Sequence, residues 1–381
     1  MDFLKYGIGI DMAMETFDAC VSVIDIKQCV IIKSRCSFSN DKKGSDLFYV
    51  WVCKNTKLPL PCVYLMEATG VYYEQLAWYL HSKKCELSVV LPNKAKKYKE
   101  SLGLKSKTDR IDARGLSQMA CEQQCARWQP LSDNIYMLRL VTRQIQNLSD
   151  QAIALSNQFH ALQHGMFRDK DIEKMLQKQL MLLKKNKGLL KIKVHELINS
   201  DPLLKRKFEK IGKIKGLGYQ SLAVIVAETN GFTAFESAAQ LVSYAGYDVV
   251  ANESGKRIGK TKISKKGNSR IRRSLHFPAF NMIKYEVSVF KNLFQRVYDR
   301  SKLKMKAYTA VQKKLLTIIY ALWKNDQEFI DKIQPQETSG DTEQEPSLAS
   351  APQELKKLAL AKSRAKQDRH PSKHRRMPSL A

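Results

Sequence analysis

Three runs rich in β-branched and aliphatic residues crowd the start of the chain, and helical and short apolar segments alternate after them. No other feature constrains the fold as much. Tyr6 to Asp11, YGIGID, reads as a buried strand, and Ala19 to Ile26 and Val30 to Phe38 read as two antiparallel neighbours. Leu47 to Lys54 is helical in pattern, Cys62 to Met66 is a short strand, and Tyr72 to His81 is an amphipathic helix. Leu87 to Leu91 is a further strand closed by Pro92, and Lys94 to Ser101 and Asp109 to Glu122 read as helices.

Strand, strand, strand, helix, strand, helix, strand, helix, helix is the order of a ribonuclease-H-like α/β domain. Four acids fall where its strands end or a helix begins. Asp11 closes the first strand, Glu67 follows Met66, and Asp109 and Asp112 stand three apart on one helix, which puts them on the same face. Phosphodiester chemistry with Mg2+ needs such convergence, because the ion prefers oxygen ligands and several carboxylates must meet at one spot. Taken singly, each acid reads as a surface charge or a helix cap; Asp109, after Lys107 and Thr108, would favour a helix N-terminus by itself. The small residues beside the acids, in Gly9-Ile10-Asp11 and in Glu67-Ala68-Thr69-Gly70, would leave room for a substrate backbone.

The chain carries 65 Lys and Arg against 37 Asp and Glu, a formal net charge of +28, so a polyanion is its natural partner. All 8 cysteines precede residue 126 and form no CxxC pair, which speaks against structural zinc and a disulfide framework and for a reduced, cytoplasmic protein. Apolar stretches such as Leu315 to Trp323 are too short to span a bilayer, and no apolar run of secretory type follows Met1.

Length and pattern divide the chain into 1–130, 131–200, 201–332 and 333–381. In the second part, apolar residues at Leu138, Val141, Ile145, Leu148, Ile153 and Leu155 predict long helices, either an intramolecular hairpin or a coiled-coil arm through which copies associate. The third part predicts a mostly helical domain. Gly216-Leu217-Gly218 sits between two apolar helical stretches as in a helix-hairpin-helix, where backbone N–H groups can hold a phosphate; an ordinary tight turn fits equally. A helix from Ser237 to Gly246 leads to a loop with Asn252-Glu253-Ser254-Gly255. Between Ser254 and Lys314 stand 18 Lys or Arg and only Glu286 and Asp299 as acids, a density suited to neutralising several phosphates. From Gln334 the composition turns to Gln, Glu, Ser and Pro and then to a basic tip, which predicts a disordered tail.

The fragments GIGIDMAMETFDACV, YLMEATGVYYEQLAWYL and SLGLKSKTDRIDARGLSQMA resemble the RuvC-like DEDD domain of insertion-sequence family 110 (IS110-type) transposases and the related Piv-type DNA invertases. The segment LVSYAGYDVVANESGKRIGKTKISKKGNSRIRRSL, at 241–275, resembles the C-terminal transposase domain of that family. The resemblance covers residues 5 to 325. It implies that Asp11, Glu67, Asp109 and Asp112 bind Mg2+ and that Ser254 is the nucleophile that becomes joined to DNA. It also implies recombination of donor and target DNA guided by a structured bridge RNA, in a homo-oligomer, dimer or tetramer, where the acids of one protomer meet the serine of another.

A serine hydroxyl needs a base or a metal to attack at neutral pH, which the acidic set would provide. Gly255 would let the backbone approach phosphate, with Lys256, Arg257, Lys260, Lys262, Lys265 and Lys266 holding the strands and Arg270, Arg272 and Arg273 binding backbone or the transition state. Two other readings fit the composition: a metal-dependent Holliday-junction-type nuclease with water as nucleophile, and a packaging protein without enzymatic activity.

Overall fold

A computed structural model describes residues 2–103, 109–250, 253–254, 257–258 and 262–331; of residues 109, 110, 253, 254, 257 and 258 it describes the backbone. The expected tail from residue 333 lies outside the described residues. So do Lys256 and Lys260, and Met1 to Asp331 belong to one compact unit.

The N-terminal part is mixed α/β, and its elements come in the expected order. They are β1 (Phe3–Met12), β2 (Thr16–Asp25), β3 (Val30–Ser39), α1 (Lys42–Asn55), β4 (Cys62–Glu67), α2 (Glu74–Ser82), β5 (Glu86–Val90), α3 (Pro92–Ser101) and α4 (Asp109–Glu122). The sheet runs β3-β2-β1-β4-β5, with β1 at the centre, antiparallel to β2 and parallel to β4. One face, with Ile8, Ile10, Tyr64 and Met66, buries against α1 and α2 side chains such as Phe48 and Leu76. On the other, Leu65 and Val90 pack with Ala95 and Tyr98 of α3 and Leu116 and Met119 of α4. Alternation along β1 explains the division, since successive side chains leave a strand on opposite faces.

The C-terminal part is mostly helical. Two long helices come first, α5 (Asp133–Gln163) and α6 (Lys170–Asn199), followed by α7 (Pro202–Gly212), α8 (Tyr219–Glu228) and α9 (Ala238–Tyr244). Next come four two-residue strands, β6 (Val249–Val250), β7 (Glu253–Ser254), β8 (Arg257–Ile258) and β9 (Lys262–Ile263), then α10 (Ser269–Lys284), α11 (Ser288–Ser301) and α12 (Lys304–Asn325). Ser132 and Asp169 cap α5 and α6 through side-chain oxygens that accept backbone N–H bonds, fixing where each begins.

The α5 and α6 helices pack on one another as a hairpin. Near its base, Leu138, Val141, Ile145, Val194 and Ile198 join one core with α7 through α12, so this apolar row is spent inside the chain. Farther out, Ile153, Met166, Phe167, Met175 and Met181 are exposed. Tyr136 of α5 donates a hydrogen bond to Glu74 Oε2 of α2 at 2.7 Å, tying the helical part to the α/β part.

Candidate active site

The register of the sheet brings two of the four acids side by side. Ile10 lies opposite Met66 in the parallel pair β1–β4, so Asp11 and Glu67, one step on, leave neighbouring strand ends on the same face. Asp11 shares that face with Gly7 and Gly9, and α4 lies directly upon it. A Cβ at Gly9 would collide with the backbone nitrogen of Ser117 and the backbone oxygen of Ala113, and one at Gly7 with the Ser117 backbone oxygen and Cys121 Sγ, 2.6 Å away. Gly9 therefore makes room for a helix rather than for a substrate backbone, which corrects the reading from sequence. This close approach carries Asp112, one residue before Ala113, to Glu67. Asp109 opens the same helix three residues earlier, and its side chain lies outside the described residues.

Between Glu67 and Asp112 sits a residue that the sequence reading passed over. Lys99 Nζ of α3 lies 2.9 Å from Asp112 Oδ1 and 3.6 Å from Glu67 Oε2, and the three side chains are only 17%, 14% and 17% exposed, respectively. Burial pulls the Lys99 ammonium down, but the hydrogen bond to Asp112 and the charges of Asp112, Glu67 and Asp11 outweigh it and hold its pKa above the ordinary lysine value. Among the described residues, no three His, Cys, Asp or Glu side chains are gathered tightly enough to hold a metal ion. What the carboxylates do hold is an ammonium. Glu67 and Asp112 offer oxygen donors alone, the kind that Mg2+ selects, so the chemistry of the two carboxylates that meet here fits such an ion. A signal for Lys99 existed in the sequence: it falls four residues after Ala95 and one after Tyr98, both buried, whereas Lys94, Lys96 and Lys97 are exposed.

Ser254 stands on β7, paired with β8 so that Ser254 is opposite Arg257, and β6 pairs with β9 outside them. The expected loop is thus a pair of short antiparallel ladders at the positions described. Of the basic residues around it, Lys262, Lys265 and Lys266 are exposed. Two of the arginines are engaged within the chain. Arg272 Nη1 donates to the backbone oxygens of Ala245 at 2.8 Å and Gly267 at 3.2 Å. Arg273 makes a two-pronged ion pair with Asp150 of α5, one prong at 3.0 Å. Arg270 Nε is buried with no hydrogen-bond partner in the structure. Gly216, at φ +91°, lies against α10, where a Cβ would come within 2.9 Å of Asn281 Cβ, and Gly218 forms the N-cap of α8. The left-handed φ and the close approach to α10 each call for glycine at 216.

Glu228, at the end of α8, is the most deeply set acid of the C-terminal part among the described residues. Its side chain is 1% exposed and takes hydrogen bonds from Arg143 Nε at 2.7 Å, Arg143 Nη2 at 3.0 Å and Asn268 Nδ2 at 2.8 Å. Burial pushes its pKa up, but Arg143 and Asn268 prevail and hold it below the ordinary value. These groups wall a cavity of about 1050 Å³, into which Lys94 of α3 and Lys266 and Arg270 also face. The cavity joins the start of α3, just past β5, to the start of α10.

A sequence model of DEDD transposases of the IS110 type matches residues 8–168. A second, described as the transposase IS116/IS110/IS902 family, matches residues 209–295. A pilin gene-inverting protein of Moraxella bovis is 29% identical over 332 residues, which cover 86% of this chain and 99% of that protein. The pilin gene-inverting protein of Moraxella lacunata is 29% identical over 332 residues, with the same coverage.

Proposed function

We propose that this chain, which belongs to the IS110 family of transposases, cuts and rejoins DNA through a covalent serine–phosphate link. The observation that carries this reading is the convergence of Glu67 and Asp112, with Asp11 beside them, on a single cationic point at the ends of the central strands. Asp11, Glu67, Asp109 and Asp112 would hold Mg2+, which when bound neutralises charge on the phosphate. The hydroxyl of Ser254 attacks phosphorus and gives up its proton to a carboxylate of the acidic set, contributed by a second protomer. The Oγ–P bond forms, one bridging P–O bond breaks, and the departing strand takes a proton as its hydroxyl. Attack by another strand's hydroxyl reverses the step and rejoins DNA without an outside energy source.

The N-terminal domain is read as ribonuclease-H-like over 1–130, followed by a helical arm over 131–200 and the serine domain over 201–332. Lys256, Arg257, Lys260, Lys262, Lys265 and Lys266 hold the strands by their phosphates, and Arg270 reaches them from the start of α10. A bridge RNA supplies sequence recognition by pairing, so the protein grips backbone and shape. The Moraxella relatives are named for gene inversion. Inversion and transposition share this strand chemistry and differ in where the DNA sites lie.

The test is cleavage of donor and target DNA in Mg2+ by the full-length protein with its copurifying RNA. Asp112→Asn is expected to abolish cleavage and leave DNA binding intact. Cleavage at the wild-type rate by Asp112→Asn would remove the acidic set from the chemistry.

A further inference from the structure

Lys99 is set into the acidic site by more than its charge. The other lysines of α3 are exposed, while Lys99 shares the buried face with Ala95 and Tyr98. Its aliphatic stem crosses α4 at Gly115, where a Cβ would come within 2.8 Å of Lys99 Cγ and within 3.2 Å of Cδ. Any larger residue at 115 would obstruct the path by which the ammonium reaches Asp112. The side chain therefore runs in a groove and ends between carboxylates of two different elements, β4 and α4, with Asp11 of β1 adding to the field upon it.

Without a cation, Glu67 and Asp112 would repel one another at the meeting of a strand end and a helix, in a place largely shielded from water. A divalent ion on the same oxygens would also repel an ammonium held at 2.9 Å from one of them, so the two cations would compete for the site. The lysine stem has rotatable bonds enough to carry the ammonium away along the groove.

We propose that Lys99 is an internal counter-ion of the acidic site: it holds Glu67 and Asp112 together before metal binds, and it sets the metal affinity by competing for their oxygens. Lys99 is on this view a positioning residue, and the inference rests on the reading that these acids bind the metal. Its consequence is a site that stays assembled while empty and loads only where the divalent ion is abundant enough to displace the lysine.

The experiment titrates the full-length protein with Mn2+ alone, following free Mn2+ by electron paramagnetic resonance and the Tm of each protein with and without the ion. Wild type is compared with Lys99→Met and Lys99→Gln, which keep much of the stem and remove the charge, and with Asp112→Asn as the background. Both Lys99 variants are expected to bind Mn2+ at least tenfold more tightly than wild type, to melt lower without the ion, and to gain more in Tm when it is added. Equal or weaker affinity in folded Lys99→Met and Lys99→Gln, with wild type binding above background, overturns the role of Lys99 and leaves the metal reading standing. Absence of binding above background in wild type and in both variants overturns the metal reading, and this inference with it.

Discussion

Arg143 and Glu228, 85 residues apart in the chain, meet through two parallel hydrogen bonds of 2.7 and 3.0 Å, and Asn268 completes the carboxylate from the start of α10. The pair links α5, α8 and the cap of α10, the helix that carries Arg270, Arg272 and Arg273. A carboxylate so deeply buried is tolerable only with such partners. Glu228→Gln keeps the shape and removes the charge, leaving the guanidinium uncompensated. Because Arg143 is 38% exposed, the expected loss is about 2 kcal/mol, below that of a wholly buried pair. Chemical denaturation of wild type and variant measures it.

The same pair makes a pH prediction. Arg143 and Asn268 hold the Glu228 pKa below the ordinary 4.5, so the native state favours its ionised form. That stability is fully present above 4.5 and disappears as pH falls through the lower folded value. The Tm gap between wild type and Glu228→Gln should be constant from pH 7 to about 5 and close below 4.5. A gap unchanged down to pH 3 would contradict the assignment.

Gly9→Ala should damage the α/β part and its acidic site together. The methyl group meets backbone atoms of Ser117 and Ala113, which cannot rotate aside, so α4 must lift from β1 and take Asp112 with it. A cost of about 1–3 kcal/mol is expected from overpacking, with DNA cleavage lost even at temperatures where the variant is folded. Denaturation and cleavage assays on one preparation check both.

Lys266 and Arg272 should separate by assay. Lys266 is exposed beside the large cavity, whereas Arg272 is committed to the carbonyls of Ala245 and Gly267. Lys266→Ala is expected to leave Tm unchanged, weaken DNA binding, and lower the salt dependence of affinity by about one ion. Arg272→Ala is expected to lower Tm by freeing the turn after α9.

The order of elements was legible in the sequence because β-branched runs, Pro92 and the helical periods each mark an element locally, and the acids stand at the marks. What was not legible depends on which element faces which. Gly9 reads equally well as room for substrate or room for a helix until α4 is placed upon it. Lys99 hides in the run KAKKYKE, where neighbouring lysines are solvated and only the spacing from Ala95 distinguishes it. Glu228 ends the apolar run IVAE, and its partner on α5 leaves no mark near it. The heptad-like row of α5 could have faced a second chain, yet Leu138, Val141 and Ile145 are used in the C-terminal core, while Ile153 is exposed. Periodicity shows that a face is apolar and not what covers it.

A serine–phosphate link leaves a covalent adduct between Ser254 and the cut DNA strand. Full-length protein with its copurifying RNA is incubated with end-labelled donor and target DNA and Mg2+, stopped in denaturant, and digested so that mass spectrometry locates the attached nucleotide. Wild type should yield a denaturant-stable adduct at Ser254, and Ser254→Ala and Asp112→Asn should yield none. An adduct that persists in Ser254→Ala, or cleavage by wild type without any adduct, would rule out Ser254 as the nucleophile.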